Sequence, residues 1–203
     1  MKNLKSIVAG AALLLAGSIT AQKWSTGKDL SYLKGQKEIA LQFTYDNLTV
    51  GKKGKAEADY VAEKVAENNK KEAGKGDAWA KAWAEARPKV YEPKFEELFN
   101  KAAGDKLSGN RKNTSAKYTL IVRTTRIEPG YNIGVSKQAA FCDYEIMIVE
   151  TANPSNVLSK GVLMKQPGSQ LMGYDFDVSS RVQECYAKAG KTLGKALGKA
   201  VGK

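Results

Sequence analysis

Paired carboxylates, two cysteines, a ladder of lysines and two neighbouring tryptophans are the residues of this chain whose types and spacing suit chemistry or recognition. Asp143 and Glu145 stand two apart, as do Asp175 and Asp177, and two carboxyl groups held close together can share the acid and base work of glycoside hydrolysis. Asp143 and Glu145 alternate with Cys142, Tyr144, Ile146 and Ile148, so on a strand they occupy the face opposite an apolar one, and a solvated outer surface explains them. Asp177 precedes a helical stretch, where a carboxylate serves as a cap. The sequence contains no histidine. That excludes hydrolysis with a histidine base and histidine-ligated zinc, copper or haem. Two cysteines cannot supply a four-thiolate site, and no aspartate-rich loop has the calcium-binding spacing. Gly190-Lys191-Thr192 looks like the end of a phosphate loop, but Cys185 stands where its first glycine is required and no strand precedes it. No catalytic residue, metal or cofactor is assigned.

The recognition candidates are of three kinds. Cys142 shares a strand face with Tyr144, Ile146 and Ile148, and Cys185 shares a helix face with Val182, Tyr186 and Ala189. If that helix covers that sheet face the sulfurs meet, either as a disulfide or as two buried thiols. Trp79 and Trp83, four apart on a helix, lie side by side; buried they are core, and exposed they would stack on a sugar ring or fill a partner's pocket. Lys191, Lys195, Lys199 and Lys203 each follow a glycine, and they face away from Leu193, Leu197 and Val201 as a basic side suited to an anionic surface.

Several elements must position these groups. Lys37 to Asp46 alternates like a strand with one buried face, and Lys55 to Ala73 reads as a helix along Ala58, Val61, Ala62 and Val65, stopped by Gly74. A second helix follows a cap at Asp77, and a third runs from Pro93 to Ala103 with Phe95, Leu98, Phe99 and Ala102 inward. Asp105 to Lys117 reads as a mobile loop. Tyr118 to Glu128, Lys137 to Thr151 and Val157 to Lys165 form a three-strand meander with short links. The last helix opens near Ser180, with Ser180 and Asp177 as competing caps. After Gly190, glycines every fourth residue each cost about 1 kcal/mol against alanine. Either those glycines let another backbone approach closely, or the tail frays alone and orders on a partner; the weak propensity favours fraying. The fold expected is α+β and two-layered, an antiparallel or mixed four-stranded sheet covered on one face by helices, with a long C-terminal helix.

Residues 1–21 read as a signal peptide: Lys2 and Lys5 precede the apolar run Ile7 to Ala16, and Ile19 and Ala21 fit the cleavage positions. That run is shorter than the roughly 20 residues a membrane span needs, and no span is expected in the mature chain. The remaining chain divides into an arm, residues 22–36, an α+β domain, 37–189, and the Gly/Lys-rich tail, 190–203. Two lysines and no acids leave with the signal, so 33 basic residues become 31 against 21 acidic, a net charge of +10. Such a charge favours anionic partners, which outside the inner membrane are glycan or lipid headgroups rather than nucleic acid.

The segments Tyr118 to Pro129, Glu150 to Leu158, and Gly173 to Asp177 with Arg181 to Gly190 resemble an uncharacterised family of exported envelope proteins of Gram-negative bacteria. The resemblance implies an envelope location and a non-enzymatic character, and brings no ligand or site residue with it. In element order alone the chain is similar to the amino-terminal α+β domain of periplasmic TolB-like proteins, which implies no function. The expectation is a non-catalytic protein of the periplasm or outer-membrane face, or a secreted one, that binds another envelope protein or an anionic lipid or glycan. Two alternatives stand beside it: peripheral membrane docking through the basic C-terminal helix, and a glycan enzyme built on the carboxylates.

Overall fold

The computed structural model describes residues 22–168 and 177–202. The expected signal segment, Asp175 and Lys203 lie outside the described residues. In chain order the elements are β1 (Gln22–Thr26), β2 (Glu38–Thr44), β3 (Thr49–Val50), β4 (Lys55–Ala56), α1 (Glu57–Asn69), α2 (Lys75–Ala86) and α3 (Glu92–Ala103). They continue as β5 (Ser108–Asn110), β6 (Tyr118–Glu128), β7 (Tyr131–Asn132), β8 (Lys137–Gln138), β9 (Phe141–Glu150), β10 (Asn153–Pro167) and α4 (Val178–Val201).

The chain is α+β with a mixed sheet and a long C-terminal helix, but the sheet has eight strands rather than the four expected. Its central order is β1-β10-β9-β6-β2-β5, with β3 beside β6 and β4 beside β3. The meander β6-β9-β10 is antiparallel, as its short links demand. Strand β2 runs parallel to β6, and the intervening helices supply the crossover that a parallel pair requires. The missing strands are short or lie at an edge, where alternation has little length in which to show. Ser108–Asn110, inside the segment expected as a mobile loop, pairs with β2 on its other side. Asn100 fixes it by donating to the Gly109 carbonyl at 2.9 Å and accepting from the Gly109 amide at 2.7 Å. Gln22–Thr26, inside the expected arm, pairs with β10.

Helix α2 starts without a side-chain cap from Asp77; instead Asn69, at the end of α1, accepts from the Gly76 amide at 2.6 Å. A π turn at Arg87–Tyr91 absorbs Pro88 and carries the helical path from α2 into α3. Between Ser180 and Asp177, the cap of α4 is Asp177, whose carboxylate accepts from the Ser180 amide at 2.8 Å.

Residues 190–201 are part of the core rather than a fraying tail. Leu193 and Leu197 are fully buried, and Gly190, Gly194 and Gly198 lie against the backbone of α3. A Cβ on Gly190 would fall 2.2 Å from the Phe95 carbonyl oxygen, and one on Gly194 2.1 Å from that of Phe99. The glycine spacing is thus a seam for a neighbouring helix of the same chain. Its propensity cost is offset by close packing, which the sequence expectation had set second. Helices α3 and α4 together cover the sheet face formed by Ile39, Leu120, Val122, Tyr144, Ile146 and Ile148.

Candidate functional site

Residues 27–35 leave β1, cross its neighbour and settle against the far end of α4. Gly27 has a positive φ of 57°, and a Cβ there would strike the Leu158 carbonyl oxygen at 1.9 Å, so the turn can pass this close to β10 only as glycine. The Ser159 hydroxyl donates to the Gly27 carbonyl and lies 2.7 Å from the Tyr32 hydroxyl. The Asp29 carboxylate accepts from the Ser31 amide at 2.9 Å and the Ser31 hydroxyl at 2.8 Å, closing a short turn before the 3-10 turn Ser31–Leu33. Leu33 is fully buried, and the Gly35 amide donates to the Val201 carbonyl at 3.4 Å.

This arrangement leaves a groove of about 500 Å³ between the segment and α4. Trp24, Leu30, Ala196 and Ala200 give it apolar walls, and Lys28, Lys34 and Lys199 bring ammonium groups to it. Trp24 stands opposite Gly161 of β10, where a Cβ would meet the indole at 3.1 Å; the missing side chain leaves room for the ring. Among the described residues, none of the three lysines enters a salt bridge. The one acid at the groove is Asp29, whose carboxyl is held below its usual value by the Ser31 hydroxyl and then the Ser31 amide. Its oxygens are already engaged by Ser31. Apolar walls with unpaired cations are an arrangement that takes up a ligand with a flat carbon face and anionic substituents.

Of the lysines singled out in the sequence, Lys199 lines the groove, and Lys191 and Lys195 are exposed further along α4. Trp24, Lys28 and Lys34 were missed. The signal for them was available, because Trp24, Leu30, Tyr32 and Leu33 are too apolar for a free arm and Gly27 and Gly35 bracket them. Trp83 is buried and donates from its indole nitrogen to Glu57 at 2.6 Å; Trp79 is half-buried and stacks on it with centroids 5.5 Å apart. With Tyr60 they close the α1–α2 pair, away from the groove.

Cys142 of β9 and Cys185 of α4 are both buried, with no bond between their sulfurs in this structure. Burial first, then the Cys142 thiol, pushes the Cys185 thiol well above its ordinary value. The Tyr144 hydroxyl is buried without a hydrogen-bond partner and has Cys142 close by. The carboxylate pair lies on the sheet face opposite Cys142 and Tyr144, but Asp143 is buried there rather than solvated as expected, and Glu145 is half-buried. Asp143 accepts from the Arg126 guanidinium at 2.8 Å and from the Lys165 amide at 2.6 Å, and Glu145 pairs with Arg123 at 2.6 Å. Among the described residues no cluster of metal-ligating side chains occurs, and no helix is long and apolar enough to cross a membrane.

The sequence matches no family model and no curated relative. Among solved structures the chain is similar to PelC from Paraburkholderia phytofirmans, seen as a dodecamer, at 11% identity and a TM-score of 0.40, covering 85% of this chain and 98% of that one. A second PelC dodecamer from the same organism is similar at 13% identity, with a TM-score of 0.36 and coverage of 85% and 96%. A DUF330 protein from Xanthomonas campestris is similar at 10% identity, with a TM-score of 0.30 and coverage of 80% and 87%.

Proposed function

We propose that this chain is an exported, non-catalytic envelope protein that binds an acidic glycan in the groove between residues 24–34 and α4. The observation that carries the proposal is the meeting of unpaired Lys28, Lys34 and Lys199 with the Trp24 indole on one groove. A pyranose ring offers its carbon face to an indole, and its carboxylate or phosphate substituents suit the ammonium groups. The signal-like segment, the absence of histidine and the positive net charge support the same reading. Among the described residues, the carboxylates that a glycan enzyme would use are engaged elsewhere: Asp143 and Glu145 by arginines, and Asp177 by its helix cap.

Titration calorimetry of the mature protein with an oligogalacturonate, using a neutral oligosaccharide of equal length as control, tests the proposal. Binding is expected for the acidic oligomer alone, weakening with added salt, and Lys28→Glu with Lys199→Glu is expected to weaken it about tenfold or more. Equal affinity for the neutral sugar, or an unaffected double variant, would overturn the proposal.

A further inference from the structure

Beyond the groove, the two most exposed large aliphatic side chains among the described residues stand together on one surface. It is the turn joining β7 to β8, where Ile133 is 67% and Val135 97% exposed. We propose that this tip docks the protein on a bilayer surface bearing anionic headgroups.

The first ground is the backbone. A turn entering an apolar medium must satisfy its own amides, because an unpaired N–H loses its water there. The Ile133 amide donates to the Ser136 carbonyl at 3.0 Å, the Gly134 amide to Asn132 Oδ1 at 3.0 Å, and the Val135 amide to the Ile133 carbonyl at 3.0 Å. The amides of the three tip residues Ile133, Gly134 and Val135 are therefore satisfied inside the hairpin. The second ground is the side chains around it. Tyr131, 44% exposed at the hairpin's base, places an aromatic ring with its hydroxyl 3.2 Å from Ser136 Oγ, a combination suited to the headgroup level.

Charge supplies the third ground and selects the occupant. No acidic residue occurs between Glu128 and Asp143, whereas Lys137 is exposed on β8. The β3–β4 turn brings exposed Lys52 and Lys53 to the same end of the sheet, tied there by the Gly51 amide donating to the Ile127 carbonyl at 2.9 Å. Aliphatic residues at a convex tip with lysines behind them match an anionic bilayer, where the cations stay in the headgroup layer as the tip enters. The hairpin is also firmly mounted. Arg181 of α4 donates from Nε to the Pro129 carbonyl at 2.9 Å, and Gly130 takes a positive φ of 58° where a Cβ would strike the Gln138 carbonyl oxygen.

Flotation of the mature protein with vesicles of phosphatidylglycerol and phosphatidylcholine, against phosphatidylcholine alone, tests the assignment. Binding to the anionic vesicles is expected, and Ile133→Asn with Val135→Asn should lower the bound fraction about fivefold or more while the circular dichroism stays unchanged. A Val135→Trp variant should show indole emission quenched by brominated lipid, beyond any quenching of the parent protein. Lys28→Glu with Lys199→Glu should leave flotation intact, which separates this surface from the groove. The proposal is overturned if the parent protein does not float with anionic vesicles, if the double asparagine variant binds as the parent does, or if the new tryptophan is not quenched.

Discussion

At the scale of residues, the cysteines show how far two periodicities carry. A period of two placed Cys142 on the apolar face of β9, a period of 3.6 placed Cys185 on the apolar face of α4, and the fold brings those faces together. Their chemistry then follows from burial. The Cys185 thiol, its ionisation suppressed, attacks an oxidant slowly, and both sulfurs are buried away from one, so in the folded protein the pair resists oxidation, whereas in the unfolded chain both thiols are open. Refolding in oxidised glutathione is expected to join Cys142 to Cys185 with release of two molecules of reduced glutathione, leaving no group that alkylates under denaturing conditions. The reduced folded protein should keep both thiols through the same incubation. Mass spectrometry after alkylation checks this, and two alkylated thiols after oxidative refolding would contradict it. The groove residues were harder to foresee, because Trp24, Lys28 and Lys34 belong together only after Gly27 and Leu33 have folded the segment over α4.

Elements obey their packing before their propensity, and α4 is the case in point. Alanine ordinarily improves a helix over glycine by about 1 kcal/mol, yet Gly190 and Gly194 leave no room for a methyl group against the α3 carbonyls. Gly190→Ala and Gly194→Ala are therefore expected to destabilise the protein by about 1–3 kcal/mol, the range for overpacking. At Gly202 the nearest atom to an added Cβ lies at an ordinary 3.5 Å, so Gly202→Ala should stay near neutral. Urea denaturation of the three variants decides it, and stabilisation by Gly194→Ala would refute the seam. The same competition explains what the sequence disclosed. The long strands β2, β6, β9 and β10 and the apolar stripe of α3 were legible because each sustains its period over many residues. Strands β3, β4 and β5 have two or three residues and no period to read, and β1 alternates only weakly at an edge. The glycine seam was visible as a spacing, but its partner helix lies some 95 positions earlier, beyond any local pattern.

Across the whole molecule, the centre holds tyrosines from four regions of the chain. The Tyr186 ring stacks on Tyr91 at 5.2 Å and meets Tyr144 edge-on at 5.3 Å, while its hydroxyl lies 2.7 Å from Thr124 Oγ1. Tyr45 joins them from the end of β2, donating to Glu92 at 3.0 Å. Burial is the first cause raising each phenol, with Tyr91 pushed up to about 12 and Tyr144 and Tyr186 well above their ordinary value. Since the folded values exceed those of the unfolded chain, this stability is complete below about pH 10 and is lost as the pH rises through the folded values. For Tyr91 alone the loss is on the order of 3 kcal/mol. Circular dichroism should therefore be lost in one cooperative step above pH 10, together with the phenolate absorbance of the buried tyrosines appearing; a fold that survives full ionisation of the tyrosines would contradict this. The order in which the chain is made adds a kinetic consequence to the α3–α4 seam. Phe95 and Phe99 belong to a helix completed long before α4, and β1 waits for β10, with Ser25 bonding a carbonyl 135 positions away. Contacts so distant in sequence make closure slow. Until α4 has been synthesised the nascent chain keeps its apolar sheet face uncovered, so the core closes only when the last helix is complete.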